Sequence, residues 1–240
     1  MRLDDPELVR TEYATEAGLH ARRSVYDGVP AAAEAIGAAL AAVAETRPRR
    51  VLEVGCGWGD FALSVRAELE AEVVAVDLSA RMVELARERG LDALVADVQA
   101  LPFEDGCFDC VVSNWMLYHV PDLNRGLAEI ARVLRPGGRL VAATSSHQHL
   151  AELWSQVGRH RASEPPRFFA ETGEAALRRH FAHVERRDLT GEIVFPDVDA
   201  VRAYIGASVA HKHLADRVPD FEGPLTATCA NAVFVAEKPA

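Results

Sequence analysis

The rhythm of apolar and polar positions changes repeatedly along this chain. Pro30 to Glu45 carries Ala and Leu at helical spacing and is closed by Pro48. Val51–Val54 is a short apolar run that stops at three alternating glycines, Gly55, Gly57 and Gly59, and an amphipathic stretch starts at Phe61. That order reads as strand, tight turn and helix. Glu72–Asp77 predicts a second strand. It is followed by Ser79 as N-cap of a helix to Arg89, with Gly90 as its stop. Leu94–Asp97 predicts a third strand, Phe108 onward a fourth and Arg139–Thr144 a fifth. Between the last two, Leu123, Leu127, Ile130 and Leu134 form one apolar stripe of a helix capped by Asp122 and ended by Pro136-Gly137-Gly138. Strands alternating with helices in this way predict a parallel sheet covered on both faces.

The flanks are less regular. Residues 4–24 predict one or two polar helices. After residue 146 the pattern predicts helices over His147–Arg161, Thr172–His180 and Asp197–Lys212, with a break at Pro165-Pro166. It predicts strands over Phe181–Leu189, Glu192–Phe195 and Asn231–Glu237. The resulting organisation is a single domain over 1–240: N-terminal helices (1–47), an alternating strand–helix core (48–146) and a less regular part with the last strands (147–240).

Composition narrows the partners. The chain has 240 residues, 36 acidic against 26 basic, and a formal net charge of −10. Such a charge repels nucleic acid and anionic membranes on average, so neither is expected as a partner. No signal peptide or membrane span is visible, and a cytoplasmic monomer or homodimer is expected. Four cysteines make no disulfide framework in a chain this long. Cys107-Phe108-Asp109-Cys110 matches C-x-x-C, but it opens the fourth strand without a second pair, so both thiols are read as small apolar residues. His147/His149 and His211/His213 lack further ligands at suitable spacing, and no catalytic metal is expected.

The chemistry concentrates where the strands end. Val51-Leu52-Glu53-Val54-Gly55-Cys56-Gly57-Trp58-Gly59-Asp60 places glycines where a ligand can approach with no Cβ in the way. A dinucleotide turn G-x-G-x-x-G has its third glycine where this chain has Asp60. Asp77 follows the second strand, where an acid can accept both ribose hydroxyls, and Asp97 follows the third.

In these residues the chain resembles the class I S-adenosylmethionine-dependent methyltransferases. The resemblance runs through Val51–Asp60, Val73–Ser79, Ala96–Phe103, Phe108–Val120 and Leu134–Leu140, in family order over roughly residues 48–146. The Leu-Pro-Phe and Arg-Pro-Gly-Gly stretches are similar to the small-molecule enzymes of the ubiquinone/menaquinone-biosynthesis type. The resemblance implies a doubly wound, Rossmann-like, mostly parallel seven-stranded sheet with an antiparallel last strand. It also implies helical lid segments over the site. It implies S-adenosylmethionine as cofactor and methyl transfer to an oxygen, nitrogen or carbon of a small organic molecule. The alternative is a cofactor-binding protein on the same fold that acts by association without catalysis.

Residue by residue, the cofactor is expected to meet Gly55, Cys56 and Gly57 in the turn, with Glu53 near its methionine amino group. Asp77, Leu78 and Met82 would serve the ribose side, and Asp97 and Val98 the adenine. Asn114 and Trp115 lie where the fourth strand ends, and Tyr13 and Arg23 would close over the top. No Asn/Asp-Pro-Pro-aromatic tetrapeptide of base-modifying enzymes stands at Ser113-Asn114-Trp115-Met116. His119, just beyond, is the candidate general base, since an imidazole titrates near neutrality. Tyr26, Tyr118, His147, Trp154 and Phe168 are expected to line the substrate pocket.

Overall fold

The computed structural model describes residues 4–163 and 167–240. Pro165 and Pro166, read above as a chain break, lie outside the described residues. Three N-terminal helices come first: α1 (Pro6–Glu12), α2 (Ala17–Ser24) and α3 (Pro30–Ala44). The core then alternates β1 (Arg50–Val54), α4 (Asp60–Leu69), β2 (Glu72–Asp77), α5 (Ala80–Glu88), β3 (Asp92–Val95), β4 (Phe108–Asn114), α6 (Leu123–Val133) and β5 (Leu134–Ser145). The C-terminal part holds α7 (Ala151–Ser155), α8 (Gly173–Leu177), β6 (His183–Phe195), α9 (Val198–Gly206) and β7 (Leu225–Glu237). Short 3-10 turns stand at Leu117–His119, Arg161–Ser163 and Lys212–Arg217.

The strands form one seven-stranded sheet in the order β3-β2-β1-β4-β5-β7-β6. β1 pairs in parallel with β2 and β4, β2 with β3, and β4 with β5. β7 is antiparallel to both neighbours, β5 and β6. Alternation along the strands sorts their apolar side chains onto two faces. Leu52, Val54, Val111 and Phe234 pack with Leu127, Ile130 and Val133 of α6. Val51, Val112 and Val235 pack with Ala39 and Val43 of α3, Val65 of α4 and Val83 of α5. A third apolar cluster joins α7 and α9 to the far ends of β6 and β7 through Leu153, Trp154, Ile205, Phe195 and Cys229. It forms the lid. No helix among the described residues is long and apolar enough to cross a membrane.

Local signals behave as their chemistry demands. Asp5, Ser79, Asp122 and Asp197 each accept a backbone N–H at a helix start. The expected 147–161 helix shrinks to α7, preceded by Leu150 in the left-handed region. The expected 197–212 helix stops at Gly206, and 3-10 turns take up later backbone. Two expected strands, 181–189 and 192–195, are one continuous strand, because Gly191 stays in the β6–β7 ladder opposite Cys229. A Cβ at Gly191 would press on Ala31 of α3, so the residue serves packing where a break was expected. α6 ends at Val133, before Pro136, because Leu134 pairs with Phe108 at the start of β5. β3 ends at Val95, so Asp97 lies two residues beyond it.

Cys107 packs against the α6 face and Cys110 is buried on the other face. Both are free thiols, and burial pushes the Cys110 thiol up to about 12.

Candidate active site

The site begins at the turn after β1. Gly55 has φ +73°, and its amide donates to the Val76 carbonyl at 2.8 Å. A Cβ there would land inside the Met116 side chain, so glycine is required both by conformation and by the close approach of the β4 turn. Gly57 has φ +54°, and a Cβ there would meet nothing nearer than Leu19 at 3.8 Å. Its N–H donates to Asp77 Oδ2 at 2.9 Å, while Ser79 N–H donates to Oδ1 at the same distance. One carboxylate thus ties the ends of β1 and β2 together, and burial raises its pKa.

Glu53 shows the chemistry most plainly. It is buried on the α3/α4 face of β1, beside Asn114 on the same face of β4. The Ala62 backbone at the start of α4, whose N-cap Gly59 has no side chain, favours the charged form of Glu53, but less than burial disfavours it. Glu53 Oε2 is buried with no partner among the described residues, and desolvation lifts the pKa to about 8. Both amide atoms of Asn114 and the Ser113 hydroxyl are also buried with no partner among the described residues. Orphaned polar atoms of this kind are costly unless a ligand completes them. Trp115 follows with φ +51°, strained for a bulky residue. Its indole N–H holds Asn231 Oδ1 at 3.1 Å.

Cys56, Val98 and Met82 are buried, the last with its backbone N–H on Ser79 Oγ. Leu78 is half-buried in the turn between β2 and Ser79. Asp97 is exposed and accepts the Gln99 backbone N–H at 2.9 Å.

The N-terminal helices cover this turn. Ser79 Oγ donates to the Tyr13 carbonyl, and the Arg81 guanidinium bridges to Glu16 at 3.1 Å. Arg23 bonds Asp60 at 2.8 Å and lies over the Trp58 ring, so it is paired on the rim of the glycine loop. Arg22, its neighbour, is deeper. It pairs with the buried Glu12 and donates to the Ala207 carbonyl. Glu12 also accepts from Ser208 Oγ and Ala210 N–H, tying α1 and α2 to the loop after α9. Glu12 was not legible as a site residue, because its partners lie almost two hundred residues away.

Beyond the cover lies an aromatic chamber that gathers all four tyrosines of the chain. Tyr13 Oη is 3.0 Å from His119 Nε2, and the Tyr118 ring is 4.5 Å from that of His119. Burial pushes Tyr13 up and Tyr118 up to about 12, so both remain phenols. Tyr26 contacts His149 Nε2 at 2.8 Å and Tyr204 at 3.2 Å. His149 accepts the Ala230 N–H at Nδ1, so its proton sits on Nε2 and points to Tyr26. Burial lowers its pKa to about 3. His211 has both nitrogens engaged, by Arg159 at 2.6 Å and Ser208 at 3.2 Å.

His147 rests edge-on against Phe169 at 4.9 Å, with Nδ1 3.6 Å from Glu171. Trp154 is buried, with the Arg159 guanidinium over its ring at 4.6 Å and His211 edge-on to it at 5.0 Å. Phe168 departs from its expected place. It sits in the sheet core against Phe234 at 5.5 Å, with its carbonyl held by Thr144. The neighbouring Phe169 stacks on Tyr118 instead.

Residues 52–142 match the methyltransferase domain family. Demethylmenaquinone methyltransferase of Lactiplantibacillus plantarum is 32% identical over 67% of this chain and 76% of its own length. The chain belongs to the class I S-adenosylmethionine-dependent methyltransferases. Malonyl-[acyl-carrier protein] O-methyltransferase of Erwinia pyrifoliae is 35% identical over 68% of this chain, and the chain spans 63% of that relative's length. Among solved structures, the methyltransferase bound to the Trm112 activator of Haloferax volcanii shares the fold, with a TM-score of 0.63 and 21% identity over 95% of this chain and 98% of that one.

The methyltransferase cofactor fits what this site leaves open. It carries an ammonium and a sulfonium, and the site presents a buried carboxyl without a counter-charge. Asn114 offers a donor and an acceptor. The Gly57 turn leaves room, and the Asp77 carboxylate lies beside it on the Gly57 and Ser79 amides.

Proposed function

We propose that this chain transfers a methyl group to a small organic molecule held between the N-terminal helices and the lid. The observation that carries the reading is the set of buried, unpartnered polar atoms of Glu53 and Asn114 beside the Gly57–Asp77 turn. The cofactor supplies an electrophilic methyl on a sulfonium. Glu53 and Asn114 would hold the methionine end, Asp77 the ribose and Asp97 with Val98 the adenine.

The protein's own contribution is alignment and exclusion of water. The Glu12–Arg22 pair and Tyr13 keep α1 and α2 across the opening. As the acceptor's lone pair bonds to the methyl carbon, the carbon–sulfur bond breaks and its electrons stay on sulfur. A hydroxyl acceptor must also lose a proton, and His119 is the group placed to take it. A relative named for demethylmenaquinone supports a small organic acceptor and a biosynthetic role.

Incubating the protein with cofactor labelled in its methyl group and a panel of phenols, quinols, amines and carboxylic acids tests the reading. Transfer to one class supports it. Tight binding of adenosylhomocysteine with transfer to none would favour a non-catalytic binding protein.

A further inference from the structure

One cation of the chamber, Arg161, has no ion-pair partner among the described residues. Arg161 stands at the start of a 3-10 turn in the lid, half-buried, with its guanidinium carbon 5.9 Å from the Trp154 ring centre and 5.9 Å from that of Phe169. Phe169 stacks on Tyr118, and Tyr118 abuts His119, so Arg161 lies two rings from the candidate base. Among the described residues no carboxylate forms an ion pair with Arg161. Its neighbours are differently placed: Arg22 is held by Glu12, and Arg159 by His211. A partly desolvated guanidinium with no counter-charge among the described residues is unexpected in a chain of net charge −10.

A second donor stands beside it. Trp154 is 4% exposed, and its indole Nε1 is buried without a hydrogen-bond partner among the described residues. A buried indole N–H normally finds one. Arg161 packs on that same ring, so an acceptor drawn to the guanidinium comes within reach of the indole N–H. Carboxylates that could compete are engaged. Glu12 accepts from Arg22, Ser208 and Ala210, Glu152 from Thr228, and Glu171 from Ser146 and His147. Between Arg161 and His119 the rings of Phe169 and Tyr118 lie nearly parallel, 6.4 Å apart centre to centre.

We propose that Arg161 and the Trp154 indole N–H form a carboxylate subsite in the lid, so that the methyl acceptor is a flat, aromatic organic acid anchored there. The guanidinium fork matches a carboxylate edge-on. One guanidinium and one N–H saturate a carboxylate, whereas a phosphate dianion would keep oxygens desolvated and unbonded. The subsite rests on the methyl-transfer reading for the place of the pocket. It concerns what the acceptor carries.

Matched probes test it. With adenosylhomocysteine bound, 4-hydroxybenzoate and its neutral amide are titrated into the wild-type protein, Arg161→Gln and Trp154→Phe, following tryptophan fluorescence and heat. Wild type should bind the acid about 10-fold or more tightly than the amide. Arg161→Gln should abolish that preference, and Trp154→Phe should narrow it several-fold, while adenosylhomocysteine affinity stays within about 2-fold. Equal affinity for acid and amide in wild type, or a preference that survives Arg161→Gln, would overturn the subsite. So would inorganic phosphate competing as well as the acid. Loss of adenosylhomocysteine binding in wild type would instead defeat the methyltransferase reading itself, a separable result.

Discussion

The Tyr13 hydroxyl lies 3.0 Å from His119 Nε2, joining the N-terminal cover to the turn that follows β4. The imidazole is held edge-on to Tyr13 by this contact and flanked by Tyr118. A substrate hydroxyl that gives its proton to Nε2 must take the place of Tyr13 or pass the proton through it. His119→Ala should therefore lower turnover of a hydroxyl acceptor by about 10²-fold or more, with adenosylhomocysteine affinity within about threefold. Tyr13→Phe should lower it less. Steady-state rates with calorimetry check both, and a parallel loss of cofactor binding in His119→Ala would assign the histidine to the pocket wall.

Asp77 bonds two backbone amides in the free protein and stands where a ribose would offer two hydroxyls. Asp77→Ala should weaken adenosylhomocysteine by about 1–3 kcal/mol, the worth of hydrogen bonds to a charged group. It should also lower Tm, because Gly57 and Ser79 lose their acceptor. Unchanged affinity in a folded variant would remove Asp77 from the site.

Glu53 gives a pH prediction with a fixed sign. Its pKa is raised from 4.5 to about 8 by burial, so the free protein holds a proton there at neutrality. Its contribution to the stability of the free protein is full below pH 4.5 and is lost as pH rises through 8. A cationic ligand needs the carboxylate, so binding at pH 7 should release about one proton. Affinity should then tighten up to about tenfold per pH unit between 6 and 8. Calorimetry in buffers of different ionisation heat measures the proton count, and Glu53→Gln should abolish it.

His149 works in the opposite direction. Its pKa is depressed to about 3, so the stability it contributes is present above pH 6.5 and lost as pH falls toward 3. Tm should drop across that window. His149→Gln, which can still accept from Ala230 and donate to Tyr26, should flatten the drop; an unchanged profile would contradict the burial of this histidine.

What was legible in the sequence follows the range of each interaction. The glycine turn, Asp77 and the β2–α5 boundary depend on neighbours in the chain, and the pattern there is local. Ser79 caps α5 where the sequence places it. The lid was misread because its elements are set by packing across the sheet. Phe168 and Phe169 are adjacent and equally apolar, yet one fills the core beside Phe234 and the other faces Tyr118. Glu12 and Arg161 gave no local signal at all, since one acts through residues near 208 and the other through rings at 154 and 169.

The central claim is that the Gly55–Asp77 turn, completed by Glu53 and Asn114, binds the methyl-donor cofactor. Isothermal titration of the whole chain with adenosylhomocysteine addresses it directly. One site of micromolar affinity or tighter, weakened by Asp77→Ala, is the expected result. Absence of binding, or tight binding of a nicotinamide dinucleotide in its place, would contradict the account.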